Sequence, residues 1–383
     1  MGYFVRPEAL DSYATLVERN GINLSLTNVH LGGESELGNV EGIWIQHLVG
    51  AHTQTVDRML SSVAQGFHQL GASADELKRT AAYYRSVDQT SAASLDATYP
   101  ASPRPPLEAP VPGVIQPSDQ QGPVEVTGGD DIRDPLAHLS EPGAPPDFSD
   151  PMVLFNTMGD YLSPTWWINQ VLNDTIGVNP MEYVNHVVVG DWKGFARCGT
   201  MWAQIAGAAD DIGDNLDNGL RWMAADWQGK AGDAAAHYFD YAGKALHSHA
   251  DVFRVLHDKY VEIARDVWLC SKTLADIIKA IMDAALVAGL AVLAAASLSW
   301  TGVGAGISWS VAAWECSQIM KLWGEASSAI ATTQTLITGF VGMATSPDEI
   351  TMREITPLPM PTVDYDHPAA APEPARPRQK GEL

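Results

Sequence analysis

The stretch Ala225-Asp226-Trp227-Gln228-Gly229-Lys230-Ala231 separates two long apolar stripes that both run at helical spacing. Ahead of it stand Trp202, Ile205, Ala209, Ile212, Leu216, Leu220 and Met223, three or four residues apart. Behind it stand Phe239, Ala242, Leu246, Phe253, Leu256, Tyr260, Ile263, Val267 and Leu274, with nothing to break the period. A 3–4 spacing places all members of a stripe on one helical face. A glycine between two such stripes allows positive φ and a close approach of the helices, and a tryptophan beside it can close the end of their core. The reading is a rod-like helical hairpin whose second arm extends about 60 Å at ~1.5 Å per residue.

Working outward, the N-terminal part repeats the design. Pro7 suits a helix start, where its missing N–H is no loss. Leu10, Tyr13, Ala14, Val17, Gly21, Leu24 and Leu31 make one stripe, and Leu48, Val56, Met59, Val63, Leu70, Ala74, Leu77, Ala81 and Tyr84 a longer one. Gly32, Gly33, Gly38 and Gly42 between them allow a turn. Of the 24 prolines, all but Pro7, Pro164 and Pro180 lie within 100–151 and 347–377, and segments of that composition build no core. The expected architecture is all-α. Two helical-hairpin bundles, 1–97 and 152–345, are joined by a Pro-rich disordered linker, 98–151, and followed by a disordered tail, 346–383. The apolar runs at 124–126 and 187–189 are too short to promote to a sheet.

The charge balance limits function. Forty-six Asp and Glu against 23 Lys and Arg give a formal net charge of −23. Nucleic acid and anionic membrane surfaces are recognised through basic patches, so neither is an expected charge partner. Cys198, Cys270 and Cys316 show neither metal-site nor disulfide-scaffold spacing and read as buried thiols in helices. The opening Met-Gly-Tyr-Phe-Val-Arg-Pro has no secretory h-region, so export would need another signal. Arg6 at the sixth position leaves myristoylation unsupported.

Tyr84-Arg-Ser-Val-Asp88 closes the first hairpin just before the Pro-rich linker, and none of the other ten tyrosines has Asp or Glu four residues on. At i and i+4 the phenol and the carboxylate share a helix face. Together with Trp227-Gln228-Gly229 at the second turn, this resembles the WXG (ESAT-six-like) superfamily of type VII secretion substrates. The first block resembles its EspC-like branch. The second resembles the larger WXG module at the front of actinobacterial polymorphic toxins and channel-and-toxin proteins. The resemblance implies helical hairpins with W-x-G at the turn (Trp227, Gly229) and a Y-x-x-x-D/E export signal (Tyr84, Asp88). It also implies partners: a secretion ATPase and chaperone, and a WXG-family partner or separate effector, with further copies of the chain also in view. Two departures stand. The first hairpin carries Gly42-Ile43-Trp44 at its turn rather than W-x-G, and no Y-x-x-x-D/E follows the second. In the family the two elements meet across a heterodimer; here they sit in one chain, so the two blocks are expected to pair and bring Tyr84 and Asp88 beside Trp227 and Gly229. The expected destination is the medium or the cell envelope.

From Ala284 to Trp314 there is no charged residue. Two readings stand for it. One is a helix–glycine turn–helix, 284–323, packed within the second block. The other is a membrane-active element, with Gly302 and Gly306 in a GxxxG spacing and Trp300, Trp309 and Trp314 at an interface. No nucleotide-binding, zinc-protease or nucleophile-elbow motif is present. His237, His247, His249 and His257 have no firm ligand spacing, and Asp210, Asp211, Asp214 and Asp217 read as a solvated acidic face. No enzyme, cofactor or metal is expected.

Overall fold

Pro7 opens the first long helix, α1 (Pro7–Glu34), and the Gly-bearing stretch after it leads to α2 (Ile43–Ser86) and a short α3 (Gln89–Asp96). The structure is a computed structural model that describes residues 3–107, 114–115, 124–125, 129–146, 148–151, 153–154, 166–297, 303–345, 357–362 and 365–367. The remaining helices are α4 (Trp166–Ile176), α5 (Pro180–Val188), α6 (Trp192–Asp226), α7 (Lys230–Ser297) and α8 (Val303–Thr345). Among the described residues, strand pairing is confined to two two-residue ladders, Phe4–Val5 with Trp227–Gln228 and Val114–Ile115 with Val124–Glu125. The protein is all-α. At 68 residues, α7 is about 100 Å long at ~1.5 Å per residue, well beyond the stripe read from Phe239 to Leu274.

The two hairpins are not separate bodies with separate cores. One cluster of buried side chains runs through α1, α2, α6 and α7. Tyr13 on α1 donates its hydroxyl to the Leu216 carbonyl of α6, 3.3 Å away, and its ring meets Phe239 of α7 edge-on at 5.0 Å. His52 on α2 lies 2.7 Å from the Tyr260 hydroxyl on α7 and 2.8 Å from the Ser35 carbonyl. The reason is geometric. A two-helix hairpin covers only one flank of each stripe, and the other flank is buried when the hairpins pack on one another.

The Pro-rich stretches also depart from expectation where they are described. Asn20 of α1 and Asn215 of α6, both fully buried, hold residues 131–133 between them. Asn20 donates to Asp131 at 2.6 Å, and the Asn215 carbonyl oxygen accepts from the Ile132 and Arg133 N–H groups at 2.8 and 2.9 Å. A single helical turn, Pro135–His138, follows and packs on α6. Proline denies these segments regular ladders, but side-chain amides supply their backbone bonds instead. In the tail, Met360, Tyr365 and His367 are buried.

Candidate functional site

The turn between α6 and α7 is built from three directions. Trp227 and Gln228 leave the helix as an extended pair and bond to Phe4–Val5, while the Arg6 N–H reaches the Asp226 carbonyl at 2.9 Å. Gly229 follows at φ +133, a conformation that side chains resist. The first free N–H groups of α7, on Lys230 and Ala231, are capped at 3.0 and 2.9 Å by the two carboxylate oxygens of Asp96. At the closing end of α6, the Arg104 guanidinium donates to the Ala224 carbonyl at 2.9 Å and the Trp227 carbonyl at 2.7 Å, and pairs with Asp233. A cation there complements the negative end of the α6 dipole and the acidic first turn of α7 at once.

Trp227 is fully buried, and Tyr84 at the end of α2 meets it edge-on with ring centroids 5.9 Å apart. Of the four residues singled out in the sequence, these two aromatic rings are brought together. Asp88 is not at the turn: it is exposed and caps α3, accepting from the Thr90 and Ser91 N–H groups at 3.0 Å each. Those bonds, led by the Ser91 N–H, hold its carboxyl below the usual range. The carboxylate against Gly229 is Asp96, with both oxygens 2.8 Å from where a Cβ would stand. The displacement follows from the chain path. Asp88 ends one helix and starts the next, so its lone pairs go to local N–H groups, and the chain reaches Gly229 only at the end of α3.

The tail completes the cluster. The Tyr84 and Tyr99 hydroxyls lie 3.0 and 3.1 Å from Nε2 of His367, whose ring also faces Trp227 at 6.1 Å. Burial lowers the His367 pKa to about 4, partly opposed by Asp366 and Asp96. Burial likewise raises the Tyr84 phenol well above its ordinary value, with Tyr3 and Tyr99 adding to the shift. Tyr365 packs its ring on Tyr238, Phe239 and Trp227 at 5.7, 5.6 and 6.4 Å. Asp96, Tyr99, Arg104, Tyr365 and His367 had no sequence signal, because their partners lie far away in the chain and only folding joins them.

The acidic residues of α6 are not a bare solvated face. His247 bridges Asp210 at 3.1 Å and Asp217 at 3.3 Å, and this pairing, led by Asp217, raises its pKa. His138 lies 2.9 Å from Asp211, and Arg254 pairs with Asp210. His249 is buried between the Ala245 carbonyl and the Ser62 hydroxyl, each at 2.7 Å, and His257 meets the Gly199 carbonyl at 2.7 Å, whereas His237 is exposed. Among the described residues no group of three or more His, Cys, Asp or Glu is arranged to hold a metal ion. Cys198 and Cys270 are buried, Cys316 is half-buried, and burial pushes the Cys198 thiol up to about 12.

The apolar segment is divided. Ala285, Ala288, Ala295 and Ala312 are buried where α7 and α8 pack, while Leu290, Leu293, Ile307, Trp309 and Trp314 are each more than half exposed. Helix α7 is long and apolar enough to cross a membrane, and 39% of its most apolar 18-residue window is buried. Trp300 and Gly302 lie outside the described residues. Among the described residues, a Cβ on Gly306 would meet nothing within 4 Å.

The fold and the site define an all-helical protein in which two long hairpins close around an aromatic cluster at a Trp-Gln-Gly turn. No family model matches the chain, and no curated protein or solved structure matches it.

Proposed function

We propose that this chain is a type VII (ESX-like) secretion substrate of the WXG superfamily. It acts outside the cytosol as a non-enzymatic interaction or carrier protein, recognised by a secretion ATPase and chaperone through a composite of Tyr84-x-x-x-Asp88 and Trp227-x-Gly229. The observation that carries this reading is the edge-on contact of Tyr84 with Trp227 at 5.9 Å. The two motifs that the resemblance assigns to partners in a heterodimer are supplied by the two hairpins of one chain. The exposed Asp88, its carboxyl held below the usual range at the start of α3, supports it further as a charged group open to a partner.

The test is export from a host with an intact type VII system. Wild type is expected in the culture medium, and Asp88→Ala, which removes an exposed side chain, is expected to stay in the cells, as is Tyr84→Ala. Equal amounts of wild type and both variants in the medium would reject the composite signal.

A second reading rests on the exposed Leu290, Leu293, Ile307, Trp309 and Trp314 of the α7–α8 pair. In it the protein is membrane-active, inserting this charge-free stretch into a bilayer as a helical hairpin. Flotation with neutral phosphatidylcholine vesicles, lost in Leu290→Glu, separates it from the first.

A further inference from the structure

The described parts of the tail, 357–362 and 365–367, follow the groove between α2 and α7 and are gripped at four successive points. The Leu358 N–H bonds to the Ser248 hydroxyl of α7 at 2.9 Å. The Met360 side chain is 2% exposed and packs beside Gly66, lining a small cavity with Leu24, Val63 and Phe253. The Tyr365 N–H bonds to the Ser73 hydroxyl at 3.1 Å, and the Tyr365 ring packs on Tyr238 and Phe239. The His367 N–H bonds to the Glu76 carboxylate at 3.0 Å, and the His367 imidazole reaches Tyr84 and Tyr99. Moving up the tail from Met360 to His367, contacts on α2 advance from Gly66 through Ser73 and Glu76 to Tyr84. On α7 they run the opposite way, from Ser248 to Phe239 and Tyr238.

This is how a groove reads an extended peptide: backbone N–H groups taken by fixed acceptors, and side chains taken in pockets. Both acceptors are built for it. Ser73 is fully buried, and Glu76 is 4% exposed and held by Arg79 at 2.6 Å. A carboxylate so buried, with a tail N–H as one of its partners, fits a standing peptide acceptor better than a chance contact. Two prolines, Pro359 and Pro361, flank Met360 and favour an extended backbone that lowers the entropy cost of docking.

We propose that the α2–α7 groove is a peptide-binding site for an extended segment presenting Met, Tyr and His at the spacing of Met360, Tyr365 and His367. The chain's own tail is its resident occupant, and Tyr84 and Trp227 meet a partner only when that tail lifts out. The occupancy stands on the groove alone; its bearing on export rests on the function proposed above.

The test uses the full-length chain carrying Tyr365→Ala and His367→Ala together, with His367→Gln as the milder companion in case the pair unfolds. Hydrogen exchange is expected to quicken at residues 73–84 and 227–231 while the helical circular dichroism stays unchanged. A labelled synthetic peptide of residues 357–367 is expected to bind the double variant at least tenfold more tightly than wild type, whose groove is already filled. Unchanged exchange in both variants, or equal binding of the peptide to wild type and variant, overturns the proposal. The peptide assay needs no secretion apparatus, so the groove survives a failed export test and the export reading survives a failed peptide test.

Discussion

At the scale of single residues, the Trp227 turn depends on groups that neighbour it only in space. Asp96 closes two N–H groups at the start of α7 at 3.0 and 2.9 Å. Losing such a cap costs about 1–2 kcal/mol, a little more when the cap is charged. Asp96→Ala is therefore expected to lower the Tm by roughly 2–6 °C for a chain of this size, with Asp96→Asn in between, as read by differential scanning calorimetry. His367 sets a pH dependence. Its imidazole moves from an ordinary 6.5 to about 4 when the tail is docked, so the docked state disfavours the proton. The stability of docking is complete above pH 6.5 and is lost progressively as the pH falls towards 4, by up to on the order of 3 kcal/mol. The groups facing the ring are Tyr83, Tyr84, Tyr99, Trp227, Asp96 and the adjacent Asp366, with the Glu76–Arg79 pair at its backbone. The protection of residues 73–84 from hydrogen exchange, corrected for the intrinsic rate at each pH, is expected to fall on acidification to pH 4.5, and to lose that dependence in His367→Gln.

At the scale of elements, the turn of the first hairpin is clipped to the short link between α5 and α6, at the opposite end of α6 from Trp227. The Asp191 N–H bonds to the Asn39 carbonyl at 2.8 Å, and its carboxylate accepts from the Gly38 N–H at 2.8 Å. Gly42 is pressed there against α5's exit: a Cβ on it would stand 1.7 Å from the Val189 carbonyl oxygen, a backbone atom that cannot rotate away. Gly42→Ala is expected to destabilise by about 3 kcal/mol or more, since the first turn and the α5–α6 link must part. Gly50, exposed in the interior of α2 with open space around it, gives the contrast. Gly50→Ala is expected to stabilise by about 0.5–1 kcal/mol through helix propensity alone. Urea unfolding of both variants measures the pair, and similar values for the two would refute the close contact.

At the scale of the whole molecule, the shared core predicts cooperativity. With Tyr13, His52 and Asn20 each buried against α6 or α7, neither hairpin retains its contacts when the other opens. One unfolding transition is expected by calorimetry and by circular dichroism, and two resolved transitions would mean independent hairpins. The all-helical class, both hairpin turns and the stripes that became the core were legible in the chain, because 3.6-residue periodicity is a local property that survives without knowledge of neighbours. The meeting of Tyr84 with Trp227 was expected from the resemblance, in which the two motifs come together, and not from periodicity. The merging of two cores into one, the burial of 131–133 between Asn20 and Asn215, the replacement of Asp88 by Asp96 at Gly229 and the docking of Tyr365 and His367 were not legible. Each joins residues separated by tens to hundreds of positions through a carboxylate, an amide or an imidazole that forms no repeating pattern. Composition marked the proline-rich tail as unable to build a core of its own. It is silent on whether such a segment can lie in a groove that other elements have built, because that depends on where Ser73, Glu76 and Ser248 come to stand in space.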